Sequence, residues 1–263
     1  MSNIQTWQKH YKEGTPITVL TAYDAQFASI IDQCNIDGIL VGDSLRHTFY
    51  GESTTVSTTL KHMIYHTQAV ANGAKNTFII ADMPFMTYNI SIENTLKNAT
   101  KLIQAGADAI KCEIRDSHIP TIERLIQEGF QVMGHIGLQP QYIHETGGYK
   151  LQGTSEDEQT ALLSLANTLS NIGVFAIVLE KVPLTVAKTI TESIDCPTIG
   201  IGAGPHCSGQ ILVTNDMLGL NPDFTPKFMR QFCQGSELFK TAINQFKTEV
   251  QNHTFPSDKE SYS

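Results

Sequence analysis

The chain has 263 residues, of which 41% are hydrophobic and 17% charged, a composition typical of a folded globular protein and not of a disordered one. Its formal net charge of −8 disfavours nonspecific attraction to nucleic acid or to anionic membranes. The sequence has no apolar run of the roughly 18 residues that a membrane-spanning helix needs, and residues 1–12 lack the apolar stretch of a signal peptide. Five cysteines without C-x-x-C spacing favour reduced thiols. We therefore expect a cytoplasmic protein with neither nucleic-acid nor membrane partners.

Short apolar segments alternate with longer amphipathic segments along the chain. The apolar segments are nearly continuous in Ile, Val, Leu or Phe, which is typical of strands buried on both faces. The predicted strands are residues 17–21, 38–42, 77–81, 109–112, 131–133, 174–179 and 197–201. The predicted helices are residues 25–34, 59–71, 91–105, 117–128, 155–171 and 184–193. Several of these helices open with a capping residue, such as Ser91 or Ser155.

Four glycines follow predicted helices and precede the next predicted strand. They are Gly73, Gly106, Gly129 and Gly173. This is the position at which a left-handed backbone conformation, which glycine adopts without steric cost, ends a helix. We therefore predict a left-handed C-cap at each.

Alternating strands and helices favour an α/β fold with a parallel sheet. Seven strand–helix units are clear and an eighth, around residues 210–213, is weaker. Eight units favour a closed (βα)8 TIM barrel over an open doubly wound sheet. No linker divides the chain, so residues 1–263 are expected to form a single barrel domain. Residues 225–250 are predicted to add C-terminal helix, and residues 252–263 a flexible polar tail.

Polar residues recur where the predicted strands end. They are Asp24, Asp43, Ser44, Asp82, Lys111, Glu113, His135 and Glu180. In a parallel barrel these strand ends meet at one rim, where active sites of this fold lie. A single Asp in such a place is more often a helix N-cap. Lys111 and Glu113, however, share a strand face, since side chains alternate with period two, and an unpaired charge there would be costly.

Three of these residues, Asp43, Asp82 and Glu113, form an all-oxygen donor set. Oxygen donors suit Mg²⁺ better than Zn²⁺. The set therefore predicts a magnesium site at the rim, with mutual pairing of the charges as the other way to satisfy them.

Three further motifs are weaker. His62 and His66 have the i, i+4 spacing of a zinc pair, but no Glu follows His62, so a packed or solvated pair is favoured. The Gly-x-Gly-x-Gly run at 200–204 is consistent with an anion site or with a tight turn. The Gly-Gly-Tyr-Lys segment at 147–150 fits either a lid over a substrate or a solvated loop.

These residues resemble the ketopantoate hydroxymethyltransferase family over nearly the whole chain, from Thr21 to about Leu220. The motifs that carry the resemblance are TAYD at 21–24, VGDSL at 41–45, ADMPFM at 81–86, KCE at 111–113, GHIGL at 134–138, GGYKLQG at 147–153, LE at 179–180 and GIGAG at 200–204.

The resemblance implies a role for each residue of the rim. Asp43, Asp82 and Glu113 match the Mg²⁺ ligands; Ser44, Asp43, Asp82, Lys111 and His135 match substrate-binding positions, and Glu180 matches the catalytic base. The implied reaction transfers a hydroxymethyl group from methylene-tetrahydrofolate to 3-methyl-2-oxobutanoate, giving 2-dehydropantoate for pantothenate synthesis. The implied assembly is a cytoplasmic homodecamer with C-terminal helices at subunit contacts.

The sequence departs from the family pattern at Arg46, Ile114, Arg115 and Lys181. Cations at three of these positions are expected to crowd the barrel mouth or to change how the folate docks. Two alternatives therefore stay open. One is another magnesium-dependent barrel lyase or transferase acting on a 2-oxo acid without folate, and the other is an inactive barrel that binds a small acid.

Overall fold

The computed structural model describes residues 2–222 and 226–262 and contains eight parallel strands that close into a barrel in chain order. The strands are β1 (Ile17–Thr21), β2 (Gly38–Val41), β3 (Phe78–Asp82), β4 (Ala109–Glu113), β5 (Val132–Gly137), β6 (Ala176–Glu180), β7 (Thr198–Ile201) and β8 (Gly209–Leu212). The ring is completed where β8 pairs with β1, with Ile17 opposite Gly209. The predicted TIM barrel is confirmed.

Within the described residues 2–213 there are nine α-helices, one before the first strand and eight between strands. They are α1 (Ile4–Glu13), α2 (Ala25–Gln33), α3 (Leu45–Thr48), α4 (Leu60–Gly73), α5 (Ile92–Gln104), α6 (Ile119–Gln127), α7 (Ile143–Thr146), α8 (Glu156–Ile172) and α9 (Leu184–Ser193). Six of these correspond to predicted helices, with ends that differ by at most two residues. The first helix and the two short ones were not predicted.

The largest error in the strand predictions concerns β5, which continues to Gly137 instead of ending at residue 133. The polar and glycine residues Gly134 and His135 end the apolar pattern, but both remain in the sheet. They pair with Cys112 and Glu113 on one side and with the sixth strand on the other. A strand held on both sides keeps its backbone hydrogen bonds whatever the hydropathy of its last residues.

Side chains that point into the barrel follow the period of two. Val19, Ile80, Met133, Val178 and Ile199 belong to one buried cluster inside the ring. At the N-terminal end of the barrel, helix α1 inserts Trp7, which is fully buried, into the same cluster. Its indole N–H donates to a backbone carbonyl at 3.1 Å, which satisfies the one polar atom of the ring. The lower barrel is therefore filled, and the polar residues above it face the open end.

Three of the four predicted C-caps are left-handed: Gly106, Gly129 and Gly173 have φ values of 107°, 89° and 95°. Gly73 was predicted wrongly, because it is the last residue of α4 and is not left-handed. A Cβ at Gly73 would lie 2.1 Å from the carbonyl oxygen of Ala25. This glycine is needed for close packing of two helices.

The chain divides into two compact units, Met1–Val213 and Thr214–Ser263. The second unit contains α10 (Thr214–Met217) and α11 (Gly235–Gln251). The C-terminal helix predicted at 225–250 therefore begins later than expected: residue 225 lies outside the described residues, and residues 226–234 are not helical. The single domain over 1–263 and the flexibility of 252–263 remain predictions.

No helix among the described residues is both long enough and apolar enough to cross a membrane.

Candidate active site

The rim residues reach one place because five strands end there in register. Asp82 lies two residues after Ile80, and Glu180 lies two residues after Val178, so each extends an inward-facing row of the barrel core. Pairing of β3 with β4 sets Asp82 opposite Lys111. Pairing of β4 with β5 sets Glu113 opposite His135. The predicted convergence of these residues is therefore observed.

Asp24 does not join this group. Its carboxylate accepts the backbone N–H groups of Gln26 and Phe27 at 2.8 and 2.9 Å, which makes it the N-cap of α2. Asp24 thus has the role that is more common for an Asp after a strand, which is to cap a helix.

Asp43 and Asp82 are linked directly. The backbone N–H of Asp43 donates to Oδ2 of Asp82 at 2.9 Å, and both side chains are buried. Ser44 follows at the first residue before α3, with its Oγ 2.8 Å from the hydroxyl of Tyr23. The turn after β2 thus holds a carboxylate and a hydroxyl side by side at the mouth.

Lys111 forms the centre of the charge arrangement. Its Nζ lies 2.7 Å from Oδ1 of Asp82 and 3.4 Å from Nδ1 of His135. Burial works against the ammonium, but the neighbouring carboxylates of Asp82, Glu113 and Asp43 outweigh it and raise the pKa of Lys111 above its usual value. The lysine is therefore a fixed positive charge at neutral pH.

The buried carboxylates exceed the cations that face them. Burial, followed by the charge of Asp82, raises the pKa of Asp43, while Lys111 and Gln141 oppose the shift. Burial, followed by the charge of Asp43, raises the pKa of Glu113 well above its usual value. One ammonium cannot balance Asp43, Asp82 and Glu113, so the pocket favours an additional cation or a proton.

His135 connects Lys111 to Glu180. Its Nε2 lies 3.3 Å from Oε2 of Glu180. Burial, followed by the charge of Lys111, lowers the pKa of His135, which favours the neutral ring. In that form, Nδ1 accepts from the ammonium and the proton on Nε2 faces the carboxylate, an assignment made from these neighbours. His135 thus lies between Lys111 and one oxygen of Glu180.

Within residues 2–222 and 226–262, no group of three or more His, Cys, Asp or Glu side chains is placed to hold a metal ion by itself. Mg²⁺ does not require such a group, since it keeps several waters and commonly binds one or two carboxylates together with substrate oxygens. The all-oxygen set and its excess of buried negative charge suit this ion.

Sequence reasoning missed Gln141, which holds two of the carboxylates, and Tyr88, which contacts Gln141. Gln141, in a 3-10 turn after β5, donates from its side chain to Asp43 and from its backbone to Glu113. The hydroxyl of Tyr88 lies 2.9 Å from the same glutamine. The only available signal was that residue 141 is a polar residue shortly after a strand end. An amide in a loop is too common to single out.

Two of the departing cations are held at the rim by their own partners. Arg46 pairs with Glu52 at 3.0 Å and stacks on a tyrosine ring. Arg115 pairs with Glu145 at 2.8 Å and also lies over a tyrosine ring. Each therefore links two segments of the rim, and the expectation that they crowd the mouth stays a prediction.

The other two departures also have local explanations. Lys181 has a φ of 47°, and its Nζ donates to the carbonyl of Tyr149 at 2.7 Å. Ile114 is fully buried, and its backbone N–H donates to the carbonyl of His135. The loop after β4 is thus anchored in the core.

The weaker histidine motif is a packed pair. Nδ1 of His62 accepts the N–H of Thr59 at the start of α4, and Nδ1 of His66 lies 2.7 Å from the carbonyl oxygen of Tyr23. Both imidazoles are therefore used in structural contacts.

A closed parallel barrel that gathers acids, a lysine and a histidine at the carboxyl ends of its strands defines an enzyme of the TIM-barrel class. Residues 1–258 match the sequence model of the ketopantoate hydroxymethyltransferase family, so the chain belongs to that family of transferases. It is 45% identical over 263 residues to the 3-methyl-2-oxobutanoate hydroxymethyltransferase of Clostridioides difficile (strain 630), covering 100% of this chain and 96% of that protein.

A second relative agrees. The protein of the same name from Francisella tularensis subsp. novicida (strain U112) is 46% identical over 262 residues, covering 100% of this chain and 99% of that protein. Among solved structures, phosphonopyruvate hydrolase with oxalate and Mg²⁺ matches with a TM-score of 0.65 at 14% identity, covering 100% of this chain and 92% of that one. 2,3-Dimethylmalate lyase matches with a TM-score of 0.58 at 14% identity, covering 98% and 99%. These structural likenesses show the fold alone.

Proposed function

We propose that the protein transfers the one-carbon unit of methylene-tetrahydrofolate to C3 of 3-methyl-2-oxobutanoate, where it replaces a proton; with the water that supplies the hydroxyl, the products are 2-dehydropantoate and tetrahydrofolate. Family membership over residues 1–258 and the names of the relatives support this substrate. The observation that carries the proposal is the buried chain of contacts from Asp82 through Lys111 and His135 to Glu180. It supports this reaction because a fixed cation and a carboxylate close together are what removal of a proton beside a 2-oxo group requires.

Asp43, Asp82 and Glu113 are proposed to hold Mg²⁺, in keeping with their oxygen donors and their excess negative charge. When bound, the ion would act as a Lewis acid toward the oxygens of the 2-oxo acid and would orient them.

The chain's own residues account for the proton transfer. Glu180 is proposed to take the C3 proton of the substrate. Nε2 of His135 lies 3.3 Å from Oε2 of that carboxylate, and Oε1 is proposed to face the substrate. Lys111 supplies a fixed charge where the keto oxygen gains negative charge as the proton leaves. Ser44 at the mouth contributes a hydroxyl that can bind the substrate carboxylate.

The cytoplasmic location and the assembly into a homodecamer also remain proposals. They are supported by the family to which the chain belongs.

The test is exchange of the C3 proton of 3-methyl-2-oxobutanoate in D₂O, followed by NMR with and without Mg²⁺. We expect metal-dependent exchange in the wild type, and formation of 2-dehydropantoate once methylene-tetrahydrofolate is added. Glu180→Gln should lower the exchange rate by about 10²- to 10⁴-fold, the usual contribution of a positioned base. Glu192→Gln, an exposed carboxylate on α9, is the matched control and should exchange like the wild type.

Each other outcome has a definite meaning. Exchange without 2-dehydropantoate would favour a different electrophile and the folate-independent alternative. Absence of exchange with substrate bound would contradict the role of Glu180 and favour a protein that only binds small acids.

A further inference from the structure

Gln141 is a buried residue that connects two of the proposed metal ligands. Its Nε2 donates to Oδ2 of Asp43 at 2.9 Å and to the carbonyl oxygen of Met83 at 3.0 Å. Its backbone N–H donates to Oε2 of Glu113 at 3.0 Å. One residue thus contacts carboxylates that are 70 positions apart in the sequence, from residue 43 to residue 113.

The orientation of the Gln141 amide is set by its neighbours. The two atoms near Nε2, on Asp43 and Met83, are both acceptors, so the NH₂ group must face them. On the other side, the hydroxyl of Tyr88 lies 2.9 Å from Oε1 and can donate to it. Every polar atom of the side chain therefore has a partner, and a rotated amide would place its oxygen against two other oxygens.

We propose that Gln141 is a positioning residue for the metal site, and that it orients Asp43 and Glu113 by holding one oxygen of each. The other oxygen of each carboxylate then remains for the ion and its waters. This inference rests on the proposed function, because it assumes that these carboxylates bind Mg²⁺. Hydrogen bonds of this kind orient metal-binding carboxylates and tune affinity without contacting the ion.

Gln139 provides a matched control in the same loop. It is also a buried glutamine, and its Nε2 donates to two backbone carbonyls, those of Ile114 at 2.8 Å and His135 at 3.1 Å. Its amide contacts no carboxylate. Replacing either glutamine with methionine removes three hydrogen bonds of a buried amide, two donated by Nε2 and one accepted by Oε1, while keeping a similar side-chain length. The variants therefore differ mainly in whether a proposed metal ligand loses its donor.

The experiment measures binding of Mn²⁺ alone, as a probe for Mg²⁺, to the full-length chain by electron paramagnetic resonance of the free ion. We expect Gln141→Met to raise the Kd by about 10- to 100-fold, the usual effect of removing such a partner. Gln139→Met should bind Mn²⁺ like the wild type. The melting temperature of metal-free protein should fall in both variants. Because only Gln141→Met should also bind Mn²⁺ more weakly, a loss of affinity is distinguished from a loss of stability.

Tyr88→Phe tests the same idea if Gln141→Met does not fold. It removes the hydroxyl that lies 2.9 Å from Oε1 of Gln141 and 3.0 Å from the backbone carbonyl oxygen of Glu113, and we expect a smaller loss of Mn²⁺ affinity in the same direction. Wild-type affinity in both Gln141→Met and Tyr88→Phe would overturn the positioning role while leaving the proposed metal site intact. A wild type that binds no Mn²⁺ would overturn both the metal site and this inference.

Discussion

Lys111 and Asp82 form an ion pair inside the barrel, with Nζ 2.7 Å from Oδ1 and side chains only 7% and 3% exposed. Their strands place them directly opposite each other. A buried pair of this kind gains little over two apolar residues, but breaking it leaves a charge without compensation. The pair is therefore a site where a single substitution has a large and specific cost.

Lys111→Met should lower the free energy of unfolding by about 3–5 kcal/mol, because the Asp82 carboxylate stays buried without its cation. Urea unfolding of metal-free protein at neutral pH measures this change. Adding Asp82→Asn to the same chain should restore part of the loss.

Lys188→Met is the control for that measurement. Lys188 lies 3.7 Å from Glu192 on the exposed face of α9, with side chains 51% and 66% exposed. Exposed pairs contribute about 0–1 kcal/mol, so little change is expected. Equal losses of unfolding free energy in Lys111→Met and Lys188→Met would mean that burial of the Lys111–Asp82 pair does not increase the cost of breaking it.

Much of the barrel was predictable because its strands are buried on both faces and therefore have continuous apolar sequences. The same property explains the error at β5, where Gly134 and His135 interrupt the apolar run but stay in the ladder. Pairing with two neighbouring strands depends on residues far away in the chain. Local hydropathy does not contain that information.

The candidate site was predictable to the extent that its residues end strands. Lys111 and Glu113 lie on one strand face by period two, and the structure places both in the pocket. Gln141 was missed because its role depends on a contact across 98 positions of the chain, to Asp43. The pairing of Arg46 with Glu52 was also not predicted, because Glu52 lies in a loop whose course the sequence does not indicate.

Gly137 is expected to be essential for the position of Glu180. It has a φ of 89°, and a Cβ there would lie 2.4 Å from the carbonyl oxygen of Glu180. Gly137→Ala should therefore destabilise the fold by about 1–3 kcal/mol through crowding, in addition to the cost of its backbone conformation. It should also slow C3 exchange, because the end of β6 must move.

Gly129→Ala separates the two costs. Gly129 has the same φ of 89°, but nothing lies within 4 Å of a Cβ built there. Only the backbone cost of about 1–2 kcal/mol is expected, with normal exchange by the folded protein. If Gly137→Ala behaved like Gly129→Ala in both unfolding and exchange, crowding against Glu180 would have no role.

Asp32 gives a dependence of stability on pH. Burial opposes its ionisation, but hydrogen bonds from Thr77, Asn76 and Lys75 outweigh burial and lower the pKa of Asp32 from 3.8 to about 2. A depressed folded-state pKa stabilises the fold above pH 3.8, and this contribution is lost as the pH falls toward 2.

Asp32→Asn should therefore cost about 1 kcal/mol at pH 6, a modest value because the carboxylate is partly exposed and screened. The difference from the wild type should narrow as the pH falls below about 4. Urea unfolding of both proteins across this range measures the difference. A gap that stays constant or widens in acid would contradict the assigned hydrogen bonds.

Lys181, the residue that follows Glu180, is expected to hold the loop at 147–152 against the end of β6. Its Nζ donates to the carbonyl of Tyr149 at 2.7 Å, and its own carbonyl accepts the N–H of Gln152 at 2.9 Å. Lys181→Met removes the first bond and keeps the second. Loss of one exposed hydrogen bond, about 1 kcal/mol, should make local opening about fivefold more frequent.

Trypsin cleavage after Lys150, followed by mass spectrometry of the native protein, reports that opening. When opening and closing are fast relative to cleavage, the rate follows the open population, so Lys181→Met should be cut about fivefold faster than the wild type. Lys188→Met, which also removes one lysine but lies outside the loop, should be cut at the wild-type rate. An unchanged rate in Lys181→Met would mean that the contacts that the variant retains hold the loop, among them the backbone bond from Gln152 and the bond from the Tyr149 hydroxyl to the carbonyl of Ser53.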